Sequence, residues 1–171
     1  ASAIGDAPVY IVHLSTKEGL EEIRQAKKRG QKHIGVETCP QYLLLTDDVY
    51  DDSSEGLKAV MAPPLRKPAD NEALWDGLKN NEIDTVATDH CPFTFKRQKQ
   101  QGADDFTKCP SGAPGVEERL SLLYSEGVCK GKISMEQLVK YACTNPSKGR
   151  RSHIQQKGTL SVGSDADDCD L

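Results

Sequence analysis

Apolar positions along this chain follow two rhythms that alternate. Residues 8–14, "PVYIVHL", form a β-branched and aromatic run that is too short for a helix and apolar on both faces. That pattern predicts a parallel strand covered on each side. Residues 15–30, "STKEGLEEIRQAKKRG", change period. Leu20, Ile23 and Ala26 make one apolar stripe, basic residues fill the last turn, and Gly30 ends the helix. Ser15 and Glu18 stand at capping-box spacing. "HIGVET" (33–38) is strand-like again. Strand, helix and strand predict a β-α-β unit with parallel strands and a right-handed crossover.

The alternation continues. "GLKAVMA" (56–62) reads as a strand, followed by the turn "PPLRKP". Pro68 opens a helix with Leu74, Trp75 and Leu78 on its apolar side, and Asn80-Asn81 breaks it. "DTVAT" (84–88) is the next strand. The polar segment 93–113 then predicts a functional loop such as a lid, or a disordered stretch. Pro114 starts a helix carrying Val116, Leu120 and Leu123. Ser134 and Gln137 cap another, with Leu138, Val139 and Ala142. "KGTLSVGSDAD" (157–167) reads as a short hairpin strand outside the pattern. About four strands could share a parallel sheet, giving an α/β class. A complete (β/α)₈ barrel needs about 250 residues, whereas an open doubly wound sheet needs fewer.

Composition narrows the class. Of 171 residues, 28% are charged and 36% hydrophobic, as in a soluble globular chain. A net charge of −4 argues against a nucleic-acid partner, which needs a basic face. No apolar run approaches the roughly 20 residues that span a bilayer. The start, "ASAIGDAPVY", lacks both signal-peptide features and an initiator Met, so it reads as processed or cut from something longer. Cys39, Cys91, Cys109, Cys129, Cys143 and Cys169 are scattered with no CxxC pair, which points to reduced cytoplasmic thiols.

Chemistry gathers at the strand ends, where parallel α/β folds bind ligands. The first strand ends on His13 with Ser15 beyond, the second on Glu37-Thr38-Cys39, and a later one on Asp89-His90. Each has an ordinary reading beside the functional one. A histidine at a strand end is often a hydrogen-bonded structural residue, and an aspartate after a strand is often a turn or cap. Glu37 also reads as a solvated turn acid. His33 begins its strand and so lies at the opposite edge, and His153 sits in a basic loop. On spacing alone, metal-assisted hydrolysis and a structural account both stand.

Six collinear motifs decide between them: "VHLS", "ETCPQYLLL", "APPLR", "ATDHCPF", "KCPSGAPGVEERL" and "KGTLSVGSDAD". In order and spacing they resemble the dihydropyrimidinase/D-hydantoinase family of cyclic amidohydrolases, over essentially the whole chain. The resemblance implies the later, C-terminal part of a metal-dependent hydrolase TIM (β/α)₈ barrel. Residues 1–150 would supply its later β/α units, and 151–171 would start a small β-domain. It implies hydrolysis of a dihydropyrimidine or 5-substituted hydantoin to an N-carbamoyl amino acid, with two zinc ions and a homotetrameric parent. His13 would bind metal. Asp89 would bind metal and act as general base. Ala62, Ser111 and Gly112 would lie against the ring.

Departures accompany the match. Ala62 and Ser111 stand where relatives commonly carry Ser and Asn, and Ala62 is also similar to allantoinases. Gly149-Arg150-Arg151-Ser152 and the acidic ending "SDADDCDL" replace apolar stretches. The family's first-strand HxH pair, bridging lysine and further histidine have no counterpart here. The chain alone is therefore expected to be inactive, as a piece of an enzyme or of a larger assembly. Two alternatives remain: an allantoinase- or dihydroorotase-like ring hydrolase, and a non-catalytic scaffold like the collapsin response mediator proteins. The retained Asp89 favours an enzyme.

Overall fold

A computed structural model describes residues 7–149 and 157–165. Three short strands form one parallel sheet in the sequential order β1-β2-β3: β1 Val9–Ile11, β2 Ile34–Thr38 and β3 Thr85–Val86. Val9 pairs with Ile34 and Glu37 with Thr85, all in parallel register. Helix α1 (Lys17–Lys28) makes the crossover from β1 to β2. The cap of α1 differs from the sequence expectation. Thr16, not Ser15, holds extended backbone, and its side chain accepts from Gly19 N–H at 3.0 Å. Ser15 is instead buried.

Short helix α2 (Pro40–Leu44) follows β2, and α3 spans Ser53–Lys58. The strand expected over 56–62 is therefore absent. Gly56–Lys58 belong to α3, and the Val60 carbonyl bonds Gly112 N–H and Lys99 rather than a neighbouring strand. Helix α4 (Pro68–Lys79) begins at Pro68 as expected. Its Asp70 carboxylate accepts from Lys67 N–H and from Lys17 N–H, tying the start of α4 to that of α1.

The core lies between these helices and one face of the sheet. Leu20, Val36, Leu74, Leu78, Ile83 and Val86 are fully buried. Each such side chain contributes about 1.5–3 kcal/mol on burial. Gly77 lets α4 approach closely, since a Cβ there would stand 3.0 Å from both Leu20 and Ile83 side chains. Buried Trp75 donates its indole N–H to Leu43 O at 2.9 Å. The opposite sheet face is open: Tyr10 is 48% and Val12 45% exposed. The expectation that β1 is covered on both sides therefore fails among the described residues.

Past β3, residues 93–113 form 3₁₀ turns at Lys99–Gly102 and Phe106–Lys108 and bond back to Val60 and Cys91. Helix α5 (Arg119–Leu122) runs into a π turn, Leu123–Val128. It starts later than Pro114 predicts, and Val116, expected on an apolar stripe, is 66% exposed. Gly115 and Val116 give their N–H groups to His90 instead of to a helical turn. Ser134 caps α6 (Met135–Val139) in a full capping box with Gln137, and α7 is Asn145–Gly149. Buried Tyr141 donates its hydroxyl to Leu78 O. Residues 157–165 contain turns and no strand.

Candidate active site

Ladder bonds bring the three strand ends side by side. Leu14 N–H donates to Glu37 O at 2.7 Å and Ala87 N–H to Thr38 O at 2.9 Å. Two side chains lock the ends further: Thr38 Oγ1 donates to Leu14 O at 2.7 Å, and Gln41 Nε2 to Thr88 O at 3.2 Å. Arg119 Nη1 reaches Val86 O at 3.0 Å and fixes α5 to the end of β3. His13 and Asp89 stand just beyond this locked edge, His13 half-buried and Asp89 exposed.

Both have left-handed backbone, φ 38° at His13 and 50° at Asp89. Aspartate and histidine enter that region more readily than most non-glycine residues, so both strand ends turn there without large strain. Asn81 shares it in the turn after α4, where asparagine is an ordinary occupant.

Other expected groups are placed differently. The Glu37 carboxylate accepts from Tyr10 OH at 2.8 Å and from the Thr85 hydroxyl at 3.5 Å, so it faces the open sheet surface rather than the strand-end edge. Cys39 is fully buried. Burial, and then the Glu37 and Asp89 carboxylates, push its thiol well above the ordinary range. His33 lies at the strand starts, its carbonyl accepting from Val9 N–H at 2.8 Å. His153 lies outside the described residues.

The expected ring-contacting residues lie on two segments joined by a backbone bond. Ala62, in a cis peptide with Pro63, and Ser111 are exposed, while Gly112 is buried. Gly112 N–H donates to Val60 O at 3.0 Å, which joins the 60–63 turn to the 110–112 segment. A Cβ on Gly112 would lie 2.6 Å from Cys91 O, so this position, at φ 150°, requires glycine. Lys99, 2% exposed, is the second join: its amine donates to Val60 O at 2.5 Å and Pro110 O at 2.8 Å. Desolvation holds that amine below the usual lysine range.

Sequence reasoning missed Lys99, which is indistinguishable there from its polar neighbours. It missed Arg119 and the bonds of His90 for a related reason: their partners lie 33, 25 and 26 residues away.

No protein-family model matches the chain. It is 47% identical over 165 residues to D-hydantoinase of Ralstonia pickettii, covering 96% of this chain and 35% of that protein. Against D-phenylhydantoinase of Escherichia coli O1:K1 the identity is 45% over 167 residues, covering 98% and 36%. The chain is homologous to the D-hydantoinases and dihydropyrimidinases. Solved structures agree. Dihydropyrimidinase from Brevibacillus agri NCHU1002 superposes with a TM-score of 0.91 at 44% identity, over 96% of this chain and 36% of that one. L-hydantoinase from Arthrobacter aurescens gives 0.84 at 37%, over 96% and 36%. The chain thus spans just over a third of the length of these hydantoinase relatives.

A dinuclear metal site does not fit the residues described. No three His, Cys, Asp or Glu side chains among them gather to hold an ion. His13 and Asp89 are two donors, fewer than two metals need.

Proposed function

We propose that the protein carrying this chain hydrolyses a cyclic amide, a dihydropyrimidine or 5-substituted hydantoin, to an N-carbamoyl amino acid. The observation that carries this reading is the shared left-handed turn at both His13 and Asp89, on strand ends held side by side. In this reading the chain is the later part of a (β/α)₈ barrel over 1–150, with a small β-domain starting in 151–171. The open sheet face beside Tyr10 and Val12 supports that, because a barrel covers it from within. The parent would be a cytoplasmic homotetramer. Its zinc site would draw on His13 and Asp89 and take its remaining donors from beyond the described residues.

Asp89 is the general base. Its exposed carboxylate takes a proton as water oxygen bonds the ring carbonyl carbon, then gives a proton to the ring nitrogen as the C–N bond breaks. Ala62, Ser111 and Gly112 border the ring. The chain alone is inactive in this reading.

The test is ring opening of hydantoin and dihydrouracil by the protein carrying the chain, with and without Asp89→Asn. Removing a general base lowers turnover about 10²–10⁴-fold. Wild-type turnover in Asp89→Asn would sink the assignment.

A further inference from the structure

We propose that His90 is a positioning residue, whose imidazole Nδ1 docks the loop bearing Ser111 and Gly112 onto the turn bearing Asp89. Gly115 N–H and Val116 N–H both donate to Nδ1, at 3.1 and 3.2 Å. Nδ1 is thus the accepting nitrogen of the ring toward this backbone. His90 is exposed, and an exposed histidine has water available to both nitrogens; here one nitrogen is committed to backbone 25 and 26 residues on.

The surrounding backbone shows what this commitment holds. His90 and Ala113 form an isolated parallel bridge, and Cys91 N–H donates to Ala113 O at 3.0 Å. Gly112 lies directly on Cys91, where a Cβ would be 2.9 Å from the Cys91 side chain. Residues 90 and 91 therefore grip 112–116 through three hydrogen bonds and one close contact. At the other end, Lys99 grips Pro110. Ser111 and Gly112 are suspended between the two grips, one of which starts at the residue after Asp89. A carboxylate and a ring-bordering segment are thereby held in register by this imidazole together with the Cys91 backbone bond, while Gly112 N–H is also tied to Val60 O. The relevance to substrate rests on the ring-hydrolase reading above; the docking itself does not.

Side-chain chemistry provides a discriminating test. An asparagine amide oxygen falls where Nδ1 stands, whereas a glutamine oxygen falls nearer Nε2. Amide exchange is measured in the chain and in its His90→Asn and His90→Gln variants. Gly115 and Val116 are expected to exchange at least about tenfold faster in the Gln variant and at near wild-type rates in the Asn variant, with Val36 and Leu78 unchanged in both. The same exchange at 115 and 116 in all three chains, or equal loss in both variants, would overturn the docking. In the ring-opening assay, His90→Gln should raise KM about tenfold with a smaller change in kcat, and His90→Asn should restore it. A wild-type KM in the Gln variant would overturn the link to the ring. If the wild-type protein opens no ring, the functional reading fails, and the exchange pattern still decides the part played by His90.

Discussion

Tyr10 occupies the middle of β1 on the open sheet face, with its hydroxyl between the Glu37 carboxylate and Thr85 Oγ1. Partial burial, and secondarily Glu37, raise its ionisation to about 12. The sign follows from linkage. The unfolded phenol ionises near 10, so between roughly pH 10 and 12 the unfolded state loses its proton first and stability falls. Below that window the phenol is neutral in both states and costs nothing. Tyr10→Phe should therefore flatten the loss of stability in that window relative to wild type. Urea unfolding at pH 9, 10 and 11 checks it, and parallel slopes in both proteins would refute it. From sequence, Tyr10 reads as one more apolar strand residue, because its acidic partner lies 27 residues away on another strand.

At the scale of elements, the start of α1 shows how far local pattern reaches. Ser15 and Thr16 are adjacent hydroxyl residues, and the box spacing to Glu18 selects Ser15. Tertiary packing overrides that choice by burying Ser15 beside Leu14 and leaving Thr16 to accept from Gly19. Thr16→Ala should cost about 1 kcal/mol, the usual loss of a cap. Denaturant unfolding of the single variant measures it, and a change below about 0.3 kcal/mol would reject Thr16 as the cap. Pro68 and Ser134, with no competing neighbour, are legible from sequence and start helices as read. The 56–62 segment has strand composition, but the Val60 carbonyl within it accepts from a lysine amine and a glycine N–H more than 35 residues on. No local rhythm encodes such partners.

For the whole molecule, the strand ends at His13 and Asp89 are legible because they rest on strand position and motif, while no group of three metal-capable side chains gathers among the described residues. Two donors predict weak zinc binding by this chain alone. Calorimetric titration should show no tight site, and Asp89→Ala should change little. Tight binding of two zinc ions, lost in Asp89→Ala, would mean that this chain supplies ligands not recognised here. No described helix is long and apolar enough to cross a membrane. The lysine at the centre of the 93–113 segment has a consequence of its own. Its amine joins the Val60 carbonyl, outside the segment, to the Pro110 carbonyl within it, and lies 5.6 Å from the Phe93 ring. The segment of some twenty residues is thereby pinned at Lys99 as well as at its far end, where Gly112 and Ala113 bond Val60 and Cys91. Cutting either pin leaves the other in place, so the segment is a strap buckled at two points.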